Sequence, residues 1–254
     1  MFFTDTIGSE IRGEDIYGNP IIYYEVLRPG YNITSSLANL YVIPCDDDPT
    51  TIEAAKFMLE FVGPRLSKND KHRPYTYYFC DSLYTLAGST KKDLELLQSM
   101  KTTAAGIAGF ITKNEEERKE WAGRILANAV VDKFLGAYEV ELEDFYAITN
   151  EGSTSSPYGA YVNNRLGLFI PPGHLATLYD LGFVDYGVIT FFSTYVRLYN
   201  PTAVEDVEDF LARCYAFTDE EIEAKFGTYD KITRKFKIMQ ELFERFKDEV
   251  LEEN

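Results

Sequence analysis

Asn114-Glu-Glu-Glu-Arg-Lys-Glu-Trp-Ala-Gly-Arg-Ile-Leu-Ala-Asn-Ala-Val-Val-Asp-Lys-Phe-Leu-Gly136 divides a strand-rich stretch of chain from a helix-rich one. Trp121, Ile125, Leu126, Ala129, Val130 and Phe134 recur at helical spacing, which leaves one apolar stripe. Acids crowd the first turn, where the helix macrodipole favours them, and Gly136 sits beyond the end. The pattern predicts one long amphipathic helix with Trp121 and Ile125 buried.

Towards the N-terminus the signals are those of strands and turns. Tyr17-Gly-Asn-Pro20 reads as a turn, and Ile21–Leu27 as a strand of β-branched and aromatic residues that Arg28-Pro-Gly30 ends. Leu37–Ile43 makes a second strand, closed by Pro44. Thr50-x-x-Glu53 is a capping-box pattern and predicts a helix over about 51–62, stopped by Gly63-Pro64. Residues 64–74 read as an exposed loop and Tyr75–Cys80 as a buried strand. The Thr90-x-x-Asp93 pattern predicts a helix carrying Leu94, Leu97 and Met100. Ala104–Ile111 is apolar and small, and fits strand and helix equally.

Towards the C-terminus, Thr149–Gly159 is linker-like, and Ala160–Ile170 reads as a hairpin around Asn163-Asn164, closed by Pro171-Pro-Gly173. Residues 186–199 suit either element. Thr202-x-x-Glu205 and Thr218-x-x-Glu221 each open a helix, and a last helix starts at about Asp230. Strands early and helices late predict an α+β fold. We divide it into a subdomain over 1–148, a flexible loop or linker over 149–159 and a hairpin-plus-helix subdomain over 160–254, the two subdomains sharing one core.

The 254 residues carry 25 Lys and Arg against 41 Asp and Glu, a formal charge of −16. Such a field repels nucleic acid and anionic lipid and attracts basic partners. With 19 Tyr and 18 Phe the composition excludes a disordered chain. Cys45, Cys80 and Cys214 are an odd, widely spaced set, and with only His72 and His174 beside them neither a disulfide scaffold nor a zinc finger is expected. The first residues lack the basic and apolar blocks of a secretory signal, and no apolar run is long enough to span a bilayer, so a cytoplasmic protein without a membrane partner is expected.

Candidate chemistry is sparse. Asp46-Asp-Asp48 could offer oxygen ligands to a divalent cation, but consecutive side chains diverge, and acids before a helix serve its dipole. His72, His174 and the cysteines are general-base and nucleophile types without a spacing that pairs them. Phosphate-cradling, nucleophile-elbow and zinc-protease motifs are missing. We therefore expect no cofactor and lean away from an enzyme, keeping as a further alternative one whose site sequence does not reveal.

Near the C-terminus, Glu220-Glu-Ile-Glu-Ala-Lys-Phe-Gly227 followed by Ile232-x-Arg-x-Phe-x-x-Met239 resembles a helix-turn-helix module. The resemblance implies that Lys231, Arg234, Lys235 and Lys237 contact DNA, the second helix lying in the major groove. The turn departs by one residue, and Asp230 stands where a neutral polar residue suits DNA better. Against it, Ile232, Phe236, Met239, Phe243, Phe246 and Val250 step by four and three, a heptad-like seam that docks on the protein's body or on a partner helix. Charge ranks the readings. First comes a non-catalytic acidic interaction protein with a basic partner and homo-oligomerisation allowed, an assembly component or an inhibitor of a nucleic-acid-handling machine. A DNA-binding regulator using 218–247 is second.

Overall fold

The computed structural model describes residues 40–43, 45, 48–66, 76–88, 90–98, 102–166, 174–191 and 195–251. They form an α+β fold. The strand expected over Ile21–Leu27 and the loop residues 67–74 lie outside them.

β1 (Leu40–Ile43) precedes α1 (Asp48–Phe57), which runs on through a π turn, Met58–Val62, and a 3₁₀ turn, Gly63–Arg65. Thr50 is therefore a buried residue of the first turns of α1 rather than its cap, and Glu53 reaches Arg118 Nη1 at 2.8 Å. β2 (Thr76–Cys80), β3 (Ser82–Ala87), β4 (Thr90–Leu94), β5 (Leu96–Gln98) and β6 (Thr102–Gly106) follow. The helix expected from Thr90 is thus two strands. Its Thr-x-x-Asp pattern matches period two as well: Leu94 faces Leu83 of β3, and Asp93 pairs with Lys91 at 2.6 Å instead of capping a helix. Met100 lies outside the described residues. The undecided segment from Ala104 resolves into the end of β6 and a 3₁₀ turn at Phe110–Thr112.

α2 (Glu115–Ala137) is the helix expected over 114–136, closed reciprocally by the Asn114 side chain accepting from the Glu117 N–H and Glu117 accepting from the Asn114 N–H. Gly136 lies inside its last turn, and Tyr138 follows as the cap. Trp121 and Ile125 are buried, and the indole N–H donates to Gly106 O at 3.0 Å. α3 (Leu142–Asn150) comes next, then β7 (Tyr161–Leu166). The expected hairpin at Asn163-Asn164 is one continuous strand paired with a later partner. The two asparagines sit where its register slips, between Val162 and Arg165, so turn-prone residues mark a bulge.

α4 (His174–Leu181), β8 (Gly187–Phe191) and β9 (Tyr195–Tyr199) lead into α5 (Ala203–Ala216), α6 (Asp219–Phe226) and α7 (Asp230–Phe246). Both expected capping boxes, Thr202 with Glu205 and Thr218 with Glu221, are formed. At the foot of β8, a Cβ on Gly187 would lie 1.8 Å from the Tyr199 ring, so the β8–β9 pairing requires glycine there.

The larger sheet is antiparallel in the order β1-β3-β4-β8-β9-β7, and it draws strands from both sides of residues 149–159. A smaller sheet, β2-β6-β5, joins β2 and β6 in parallel and β5 and β6 antiparallel. The core lies among α2, α5 and α7. There Phe110 meets Trp121 edge-on at 4.8 Å, and Phe210 meets Phe236 at 4.5 Å.

Candidate functional site

The four cations of the basic run sit on α7, and three of them turn back onto the end of α3. Lys231 Nζ donates to Glu151 O at 2.9 Å and Thr149 O at 3.4 Å. Arg234 grips both carboxylate oxygens of Glu151, at 2.8 and 2.6 Å, and Glu151 is held below the usual carboxylate range by that fork. Lys237 is exposed. The seam of the same helix is spent within the chain. Ile232, Phe236, Met239, Phe243 and Phe246 are buried in the core, and Val250, in the π turn Lys247–Leu251, is half-buried against it.

Lys235 leaves the surface altogether. Its side chain and that of Asp206 on α5 are 0% exposed, and Lys235 Nζ donates to Asp206 Oδ2 at 2.5 Å, Gly182 O at 2.8 Å and Thr149 Oγ1 at 3.0 Å. The Phe145 and Phe210 rings flank the ammonium at 4.2 and 4.5 Å. Tyr158 donates its hydroxyl to the same carboxylate oxygen at 2.9 Å, while Asp206 Oδ1 accepts no hydrogen bond among the described residues. Burial pushes the Asp206 carboxyl up and the Lys235 ammonium down, and their mutual attraction opposes both shifts. The pair ties α3, α5, α7 and the turn after α4 at one point.

A second ionic centre lies further along the same face of α5, where Asp209 and Arg213 follow Asp206 at helical spacing. Asp185 Oδ2 accepts from Arg124 Nη2 of α2 at 2.7 Å and from Arg213 Nη2 of α5 at 3.3 Å, and Oδ1 accepts from the Tyr186 N–H at 2.8 Å. Arg124 continues to Glu95 at 2.9 Å. Burial would raise the Asp185 carboxyl, but the two guanidiniums and the backbone donor hold it below its ordinary value. Asp209 shares the neighbourhood on worse terms. Burial and the negative Asp185 push it well up, and its nearest guanidinium nitrogen, on Arg213, is 4.0 Å away. A carboxylate held by two guanidiniums is a weak base, so the centre suits clamping better than proton abstraction.

Among the described residues the cysteines make no hydrogen bond to either centre, although Cys214 follows Arg213 on α5. Cys80 is buried, donates weakly to Ala105 O at 3.5 Å, and is pushed up to about 12 by burial, with Asp81 and Cys45 adding to the shift. Burial also raises the Cys214 thiol. Both are thiols, not thiolates, at neutral pH. His72, Asp46 and Asp47 lie outside the described residues; Asp48 and His174 begin α1 and α4. Sequence reasoning missed Asp206 and Asp185 because their partners lie far along the chain. The available hint was Lys235 beside Phe236 on the buried side of the seam.

At the surface, cations are tied to the chain's own acids. Lys225 bridges Glu116 and Glu120, and Lys119 reaches Glu221 at 2.8 Å. Exposed acids remain in the first turns of α2 and α6, at Glu139 and Glu141 between α2 and α3, and at Glu143 and Asp144 in the first turn of α3. Among the described residues no helix is long and apolar enough to cross a membrane. No protein-family model, curated protein or solved structure matches this chain.

Proposed function

We propose that this chain is a non-catalytic acidic interaction protein that binds a basic macromolecular partner, as a component of an assembly or as an inhibitor of a nucleic-acid-handling machine. The observation that carries the reading is the disposition of charge. Lys235, Arg213 and Arg124 are drawn into the two ionic centres, and Lys119, Lys225, Lys231 and Arg234 bind the chain's own acids or carbonyls. Among the described residues the exposed charged side chains are therefore mostly acidic. A surface of that sign speeds encounter with basic partners and slows encounter with nucleic acid. Raised thiols, and carboxylates clamped by guanidiniums, favour binding over catalysis as the chain's work.

The test is capture. The full chain, immobilised and exposed to extract of its own host at low salt, is expected to retain a protein of basic sequence. Raised salt should release it, as Debye screening requires. Charge reversal of Glu139, Glu141, Glu143 and Asp144, all exposed, should weaken retention while circular dichroism shows the chain still folded, the lost first-turn acids of α3 lowering the melting temperature only modestly. Retention of nothing, or of nucleic acid alone, sinks the reading.

A further inference from the structure

The larger sheet turns one face inward and, over β1, β3, β4 and β8, leaves the other open; towards β9 that face is covered, since Leu198, opposite Val188, is buried. Opposed residues of antiparallel strands point the same way, so the register assigns the faces. Leu83 and Leu94 face the interior with Cys80, and Lys92 reaches Glu205 of α5. Tyr41, Tyr84 and Asp93 share the outer face, as do Leu86, Lys91 and Thr190. Among the described residues seven large apolar side chains are exposed. Three of them belong to this face: Tyr41 (43%), Ile43 (40%) and Val188 (40%). The Tyr41 and Tyr84 rings stack at 5.1 Å, and Lys91 Nζ lies 4.6 Å over Tyr84. A solvated sheet face takes polar residues at such positions. This one presents a flat aromatic and aliphatic surface.

Its charge names the occupant. Lys91 and Asp93 are the only charged side chains on this face among the described residues of β1, β3, β4 and β8, so this four-strand part of the face is neutral on a chain of −16. We propose that it is the homodimer interface, its occupant a second copy of this chain. A like-charged copy meets least repulsion where the face is neutral, and this face is complementary to itself. Take a two-fold axis lying between the copies and crossing β4 at right angles, midway between Lys91 and Asp93. It sets each Lys91 over the Asp93 of the second copy, and the reverse. The same axis sets Tyr84 over Leu86 and, continuing the β4–β8 register, Thr190 over Val188. Two cross-copy ion pairs then sit among apolar contacts, as in an aligned sheet-on-sheet interface.

Sedimentation velocity of the full chain, from about 1 to about 100 μM, spans the range in which a modest interface dissociates. We expect dimer. Lys91→Glu alone leaves two anions on the face and Asp93→Lys alone two cations, and each should weaken dimerisation by about tenfold or more, since like charges then meet. Mixing the two variants in equal amounts should restore the dimer, which the Lys91–Asp93 pair within one chain cannot do. Far-ultraviolet circular dichroism reports that each variant is folded. If either charge variant fails to fold, Ile43→Thr with Val188→Thr, which suits exposed strands, decides by loss or retention of dimer. A monomer at every concentration, single variants that dimerise like the unmodified chain, or a mixture that stays monomeric would each overturn the proposal.

Discussion

An ammonium withdrawn completely from water costs several kcal/mol even after the surroundings relax, and Lys235 is withdrawn completely. Asp206, Gly182 O and Thr149 Oγ1 satisfy its three protons, so the cost is met only while every partner stays. Lys235→Met strands the Asp206 carboxylate and should lower stability by about 3–5 kcal/mol, whereas adding Asp206→Leu should recover most of that loss. Chemical denaturation of the two variants checks it, and a single variant as stable as the unmodified chain would refute the buried pair. Asp209 makes a contrary case. Burial and Asp185 raise its carboxyl, so the folded chain holds that proton more tightly than the unfolded chain does. Its contribution is intact below the ordinary value of 3.8 and is lost as pH rises towards the raised one. Asp209→Asn should therefore raise the melting temperature at pH 7, and the gain should shrink as pH falls towards 4. A constant gain would assign the effect to packing instead of charge.

At the scale of elements, α2 and α5 approach so closely that a Cβ on Gly123 would lie 2.2 Å from Ala212 O and 2.9 Å from Ala216 Cβ. Gly123→Ala has nowhere to put its methyl except by separating the helices, and should cost about 1–3 kcal/mol despite the better helix propensity of alanine. Equal or higher stability would mean that the crossing is looser than its geometry. Neither the contact nor its partner could be read along the sequence. What could be read was local: Asn114 with Glu117, Thr202 with Glu205 and Thr218 with Glu221 satisfy backbone donors three residues away, and all three helices begin where those patterns stand. Thr90-x-x-Asp93 is the same pattern, but there β3 and β8 supply a ladder, and long-range pairing prevails over a local cap. Asn163-Asn164 fails likewise, since Val162 pairs with Leu198 and Arg165 with Val196 of the distant β9, which absorbs the two asparagines as a bulge. The α+β class was legible from alternation and capping. The ionic centres were not, because Asp206 meets Lys235 across 29 residues and Arg124 meets Asp185 across 61.

For the whole molecule the contest is between a short basic run and a field of −16. A helix that reads duplex DNA must offer cations to phosphates, and each phosphate neutralised adds about 0.9 to the slope of log affinity on log salt. On α7, Lys235 is buried against Asp206, Arg234 is forked onto Glu151, and Lys231 is bound to two carbonyls, which leaves Lys237 with the least to give up. Freeing Arg234 would expose the Glu151 carboxylate beside the same phosphates, so the exchange gains little. The chain titrated into duplex DNA at about 50 mM salt, where electrostatic binding is strongest, should show no saturable shift. Replacing Lys231, Arg234 and Lys237 by Ala, with Lys235 kept to preserve the core, should leave partner capture unchanged and shift the denaturation midpoint little, since exposed pairs contribute little to stability. Binding of micromolar strength or tighter, with a salt slope that falls in the triple variant, would instead place α7 in the groove. It would require the 149–151 turn to release its cations, a rearrangement visible as faster amide exchange at the end of α3 on adding DNA.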